Sequence, residues 1–549
     1  MRAVPLFLAL CLLLTTPAPV RAHVGDSAAV LFDFGDGRYA WAHVDLNGIA
    51  DGWNLTVAAN ESLGYAPLDF TVFSIGIRLD GVDGEQGGWP DWWWHLYVWN
   101  ETLVAWESAS AGASDLPVAA GDAIAWHRAV DDAAFSSDPP VATPVLPSPW
   151  TSFRGGASNA GVAGSSGPAS PRPAWSYDSG SREAEGTPAV FGALVIAATD
   201  SGLVALDRGT GTRRWFRPDL QGMSSPTVAG EGVLVGAWDG RLHHVRTTDG
   251  AELWNVSLVS PGRNAISSSP LLYKGVAYVG TWNQTDAGGE LVAVNLSANP
   301  NAVLWRVPTG DIHYSSPAIA GDLVVVGVNG MADASGATWD LPYGLLAVHR
   351  DGAVAWFFAT DGPVASSPAV SAGRIFFTTH GSRLYAVGTD GAEAWNRTIG
   401  FSTSSPAVSA GRVFVGNGSL GGSGGVQAFT TEGTSAWTTP LNGPVQSAMV
   451  VAGEAVYATT NAPEGRVYAL GASDGKVRWS WAPSPPDYIL GSPAIAGGRL
   501  YVAVDSGYLY ALETPEPPIP LGPGVLLAVA VLLIVIVAVF AYVRRRPRD

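Results

Sequence analysis

Ser367-Pro368-Ala369-Val370, Arg374-Ile375-Phe376-Phe377, Leu384-Tyr385-Ala386-Val387 and Ala394-Trp395 make up a phrase that this chain repeats eight times. Its small-Pro opening recurs at Thr187-Pro188, Ser225-Pro226, Ser269-Pro270, Ser316-Pro317, Ser405-Pro406 and Ser492-Pro493, with Ser447-Ala448 read as the one degenerate copy. Its closing tryptophan recurs at Trp175, Trp215, Trp254, Trp305, Trp356, Trp395, Trp437 and Trp479. The tryptophans lie 40, 39, 51, 51, 39, 42 and 42 residues apart, the period of a propeller blade and too long for a leucine-rich or helix-pair repeat. Each unit reads as four short strands separated by Gly, Asp and Asn turns. A sheet this small cannot hide both faces, so the units must stack around an axis. Pro173-Ala174-Trp175 precedes the first complete unit, and the last unit stops at Tyr510-Ala511-Leu512 without a tryptophan. The initial segment is therefore expected to supply the fourth strand of the final blade, closing an eight-bladed β-propeller over residues 150–513.

The composition agrees with a mainly β chain: 67 Gly and 39 Pro among 549 residues, and only 14% charged. The formal charge is −17; removing the +2 of residues 1–22 and the +3 of residues 524–549 leaves −22 between them. So acidic a surface repels phosphate backbones, which argues against a nucleic-acid partner. The one cysteine, Cys11, falls in a leader expected to be removed, which excludes disulfides, Cys-ligated metal and a cysteine nucleophile.

The ends carry targeting signals. Residues 1–22 read as a signal peptide, with Arg2, an apolar Val4–Leu14 and small residues to Ala22. Residues 524–543 are uncharged and are followed by Arg544, Arg545, Arg546 and Arg548, the pattern of a transmembrane helix with a basic cytoplasmic tail at 544–549. Residues 514–523, with five prolines, form a stalk. The expected topology is single-pass, N-terminus extracytoplasmic. Eight sequons offer possible glycosylation at Asn54, Asn60, Asn100, Asn255, Asn283, Asn295, Asn396 and Asn417.

Residues 23–132 read as a small α+β domain: a strand at Ala28–Phe34, a helix over Trp53–Tyr65, a strand at Phe70–Leu79, then Trp92-Trp93-Trp94-His95-Leu96-Tyr97-Val98-Trp99-Asn100. Period two places Trp92, Trp94, Leu96 and Val98 on one face. Ser74-Ile75 with Asp80-Gly81, the Trp-rich strand and Gly121-Asp122 leading to Ala125-Trp126 resemble the transcobalamin C-terminal-like domain. That resemblance implies small-molecule or partner binding, with Trp94 and Trp99 as candidates and a corrinoid-like ligand as one option. Residues 133–149 are a Pro-rich linker.

Ala205-Leu206-Asp207 through Thr210-Gly211 to Trp215, Ala469-Leu470 through Asp474-Gly475 to Trp479, and the Trp150–Gly164 lead-in with Phe153-Arg154-Gly155 and Asn159 resemble the pyrroloquinoline-quinone (PQQ) propeller family. The resemblance implies the fold. Quinoprotein dehydrogenases of that family add adjacent cysteines, calcium-binding Glu and Asn, and a catalytic Asp; the cysteines are impossible here, so the chain is more similar to non-catalytic scaffold members.

Loops from second to third strand and from fourth to first strand emerge on one face of a propeller, and the length variation falls there, at 282–289, 329–343 and 417–425. Long loops on a rigid scaffold mark a functional side. Trp238, Trp282, Asp311, His313, Tyr314, Trp339, Tyr343 and Tyr488 are its candidate binding residues; no catalytic or metal residue is assigned. The resulting expectation is a non-enzymatic, membrane-anchored extracytoplasmic binding or scaffold protein without a cofactor, its partner a surface or membrane protein or a small ligand. The alternative is a quinoprotein-like dehydrogenase using PQQ and Ca2+ at an atypical site.

Overall fold

The computed structural model describes residues 27–34, 39–45, 49–63, 65–73, 76–86, 92–100, 105–109, 112–118, 122–130, 150–229, 232–283, 288–296, 302–312, 314–332 and 339–515. The expected signal peptide, linker, membrane helix and tail, and most of the stalk, lie outside these residues. Among the described residues no helix is long and apolar enough to cross a membrane.

In the small domain, β1 (Ser27–Asp33) pairs antiparallel with β2 (Tyr39–Asp45) and parallel with β8 (Ala123–Val130). β6 (Trp92–Asn100) and β7 (Ala105–Ser108) complete the order β2-β1-β8-β6-β7. Helix α1 (Gly52–Leu63) covers one face through Leu55 and Ala59, against Val30, Phe32, Trp94, Leu96 and Trp126. The single strand expected at 70–79 is instead a hairpin, β3 (Asp69–Phe73) with β4 (Gly76–Val82), because the chain reverses between Phe73 and Gly76; β4 then pairs with β5 (Glu85–Gln86).

The repeat region forms eight antiparallel blade sheets, seven of four strands and one, blade 7, with a short fifth strand added in parallel. Blade 5 shows the plan: Ala369–Ser371, Arg374–Thr378, Arg383–Gly388 and Glu393–Thr398, paired in chain order. Middle strands are covered on both faces and read as unbroken apolar runs, as in Leu323–Val328; outer strands alternate more and less covered positions, as in Ala302–Thr309. Blade 8 takes Ala494–Ala496, Arg499–Ala503 and Tyr508–Glu513 from the end of the region and Arg172–Asp178 from its beginning, as the missing tryptophan implied.

Each conserved-looking word of the phrase has a mechanical task. The alanine of the third strand lies directly opposite the closing tryptophan, at Ala205–Trp215, Ala293–Trp305, Ala347–Trp356, Ala386–Trp395, Ala428–Trp437 and Ala469–Trp479, and a β-bulge follows each pair. The small side chain leaves room and the bulge turns the indole toward the next blade. There its N–H donates to a turn carbonyl: Trp175 to Arg208, Trp215 to Thr247, Trp305 to Arg350, Trp356 to Thr389, Trp395 to Thr431, Trp437 to Ala472. Trp479 donates to Pro168, at the start of the region, so the seam is fastened from both sides. Blade 2 departs from the pattern, with His244 opposite Trp254 and its ring 5.2 Å away.

Candidate functional site

The small-Pro openings converge on the propeller axis, where they form a hydrogen-bonded ring. The Thr187 N–H donates to Ser225 Oγ (3.0 Å), Ser225 to Ser269 (3.1 Å), Ser269 to Ser316 (2.9 Å), Ser316 to Ser367 (2.8 Å), Ser367 to Ser405 (2.9 Å) and Ala448 to Ser492 (2.9 Å). The preceding serines form a second tier. Ser224, Ser268, Ser315, Ser366 and Ser404 each accept an N–H from the second strand of their own blade. Ser404 also donates to the Ser447 carbonyl (2.7 Å). Ser447 therefore belongs to the second tier, and Ala448-Met449 stands where other blades have Ser-Pro; the degenerate copy is one residue out of the register expected.

One end of the axis is crossed by the lead-in segment. Backbone N–H groups of Val190, Val228, Ile319, Val370, Val408 and Val451 donate to the carbonyls of Trp150, Thr151, Ala157, Ser158, Ala160 and Gly161, so one segment, turned at Phe153–Gly155, is tied to six blades. Val162–Ala163 then runs parallel to the inner strand of blade 7. Arg154 of this segment is 1% exposed and holds the Pro406 carbonyl; burial brings its guanidinium down to about 9.

Above this plug lies a cavity of about 470 Å³. Phe153 of the plug and the ring serines line it, and Glu183, Glu185, Arg263, Tyr314, His380 and Gln446 surround its other end. These last residues sit on or beside the loops that run from fourth to first strands. Those loops are tied to the second-to-third-strand loops by backbone bonds, Asp200 to Glu183, Trp238 to Gln221, Trp282 to Ala265, His380 to Pro363, Gly418 to Phe401, Asn461 to Pro444 and Asp505 to Tyr488, so the two loop sets share a face. Arg263 is ion-paired with Glu183 and lies 5.4 Å over the Trp238 ring. Enclosure, then the neighbouring Asp505 and Glu183, push the Glu185 carboxyl up to about 7 against the pull of Arg263. Burial holds His380 down at about 4, so it is neutral at pH 7.

Among the described loop residues expected to bind, Tyr314 lines the cavity and the others do not; it is 47% exposed. Trp282 and Asp311 are buried, Asp311 accepting from Asn329 Nδ2 (3.3 Å), so both hold loops in place and neither offers a contact surface. Trp238 and Tyr343 are half-buried, and Tyr488 is exposed. His313 and the Trp339 side chain lie outside the described residues. In the small domain Trp94 is 2% exposed and meets Phe34 edge-on, which makes it core and removes one of the two residues on which corrinoid binding stood; the Trp99 side chain lies outside the described residues. Asn60 is likewise buried, its Nδ2 donating to Ala66, because it closes the end of α1; a glycan there requires the site to open. Asn54 is exposed, Asn255, Asn283, Asn295, Asn396 and Asn417 are half-buried, and the Asn100 side chain lies outside the described residues. His243 and His244 point apart, as adjacent strand residues must: His243 sits between Asp239 and Glu252, His244 against the Ala229 carbonyl. The residues missed, Glu183 and Glu185, left one signal: acidic side chains at period two immediately before Thr187-Pro188.

A propeller whose blades are locked by indole-to-turn bonds defines a class, that of the PQQ-like repeats. The family model described as outer membrane protein assembly factor BamB matches residues 118–340, 299–400 and 388–515, and the chain belongs to this family. BamB of Xanthomonas campestris pv. campestris is 29% identical over 129 residues, 23% of this chain and 29% of that one. The quinohemoprotein alcohol dehydrogenase of Comamonas testosteroni is 32% identical over 123 residues, 20% of this chain and 17% of that one. The chain thus matches less than a third of the length of either relative. The crystal structure of the Comamonas enzyme superposes with a TM-score of 0.54 at 15% identity, covering 67% of this chain and 82% of that one, a likeness of fold.

Proposed function

We propose that this protein is a non-enzymatic extracytoplasmic scaffold whose loop-bearing propeller face receives a protein partner, the chain being exported by its leader and held at a membrane by its C-terminal segment. The observation that carries this reading is the stitching of both loop sets into one rim, from which the blade 4 excursion, with its Met331–Ala332 and Trp339–Asp340 pairing, is added. A rigid rim with one long excursion favours recognition of another surface over chemistry. Membership of the BamB family agrees with it. The test is capture from native membranes by tagged full-length protein. Shortening residues 329–343 is expected to lose the captured partner while Glu432→Gln, in the turn between third and fourth strands of blade 6, keeps it; equal capture by both removes the proposal.

The quinone reading fares less well on donor chemistry. PQQ is a tricarboxylate, and the cavity offers it one guanidinium, Arg263, already paired with Glu183 and beside Glu185. Among the described residues no three His, Cys, Asp or Glu side chains come together to hold a metal ion. These residues do not fit the group. Adding PQQ with Ca2+ tests the point: stoichiometric quinone absorbance with dye reduction would overturn the scaffold reading.

A further inference from the structure

The ring serines have hydrogen-bonding capacity that the fold does not use. Ser225, Ser269, Ser316, Ser367, Ser405 and Ser492 each accept a backbone N–H through Oγ, and each is 8% exposed or less. A hydroxyl that accepts still has its own proton to donate. None of these six donates to another described residue, and all six line the cavity. Donors left over around a common axis call for a ligand, or water, rich in oxygen acceptors. The open end is complementary: the Glu185 carboxyl, the Glu183 carboxylate beside Arg263, and the Gln446 amide oxygen, which accepts from Asn461 Nδ2 (2.7 Å) and keeps a second lone pair, supply acceptors there. Phe153 adds an aromatic surface from the plug.

We propose that the axial cavity is a binding site for a neutral polyhydroxylated ligand, one or two sugar rings in size, entering from the loop-bearing face. A sugar oxygen can accept from a ring serine while its own proton goes to a carboxylate or amide, and the C–H face of the ring can lie on Phe153. Anionic ligands are opposed by Glu183, and by Glu185 once the pH has risen through about 7; cationic ones leave the serine donors without acceptors. The size agrees, because cavities of about 300–1,000 Å³ are those that enclose small molecules. The plug makes the site blind, so it accepts a free sugar or the last unit of a chain and not a chain passing through.

The experiment uses the full chain in detergent, with saturation-transfer NMR and calorimetry against a panel of neutral hexoses, N-acetylhexosamines and their disaccharides, and a glycan array presenting the same units at chain ends. Binding of the free panel alone assigns a free sugar; binding on the array as well assigns a chain terminus; either supports the site. Glu185→Gln and Gln446→Ala are expected to weaken binding about tenfold each by removing acceptors, and Ala448→Phe, which fills the cavity, to abolish it. Because Ala448→Phe crowds a closed ring and can unfold it, the two rim variants decide if its melting transition is lost. No transfer or heat from any sugar, with the native fold intact, overturns the proposal, since the serines then serve channel water; so does full binding by both rim variants.

Discussion

Single residues set how this ring responds to pH and to substitution. Glu185 binds its proton up to about pH 7, against an ordinary carboxyl value of 4.5. The folded protein thus keeps a proton that the unfolded chain has lost, a stabilisation complete below about pH 4.5 and gone once the pH has risen through about 7. Glu185→Gln is expected to exceed the parent in stability by about 1–2 kcal/mol at pH 8.5, channel water screening the rest, and to match it near pH 5. Urea melts at the two pH values check this; a difference independent of pH counts against it. Ala448 marks one of two gaps in the ring, where no hydroxyl meets the Ser405 N–H, the other lying between Ser492 and Thr187, whose Oγ1 has no hydrogen-bond partner among the described residues; Ala448→Ser should stabilise by about 0.5–1.5 kcal/mol in the same assay. Two glycines separate strain from collision. Gly391 has φ +82 and would place a Cβ 2.9 Å from the Trp356 ring, whereas Gly373 has φ +73 and nothing within 4 Å. Gly373→Ala should cost about 1 kcal/mol and Gly391→Ala about 2–4, read as denaturation midpoints.

Among the elements, the strands and blade count were legible because the phrase is periodic and every word answers to a local rule: proline at a strand start, alanine opposite tryptophan, glycine where an indole docks. The hairpin of β3 and β4 was not legible, since Phe70–Leu79 offers no Gly-rich or Asn-rich reversal before Gly76 and its alternation reads as one strand. Nor was the role of the lead-in, whose six carbonyl contacts are made to residues up to 290 positions away, between Gly161 and Val451. Within that plug Arg154 keeps Nε and Nη1 without a hydrogen-bond partner and pairs with no carboxylate among the described residues. A buried cation so placed is a cost, so Arg154→Met should be neutral or stabilising by about 1–2 kcal/mol at pH 7. A loss of more than that in thermal melts would show that the Pro406 contact anchors the plug.

For the molecule as a whole, closure is the decisive property. Trp175 fills the seam against Tyr501 and Gly211, and Trp175→Ala should lower stability by about 3–5 kcal/mol in equilibrium unfolding. The site was read less well than the fold for a physical reason. Aromatic residues on long loops were the visible signal, but Trp282 was consumed in burying its own loop, while the cavity is built from serines taken as architectural and brought together from seven blades.

The seam also fixes when the protein can be finished. Arg172 and Glu513 are joined by an ion pair across 341 positions, and the plug has been made before any blade exists to receive it. During synthesis the first strand must therefore wait, with its outer backbone groups unmatched, until the last turn of chain has left the ribosome, while the lead-in is engaged blade by blade from Val190 onward. A propeller laced in this way has no folded intermediate with a satisfied first strand, so a chain interrupted before Tyr508–Glu513 leaves Arg172–Asp178 as an open strand edge.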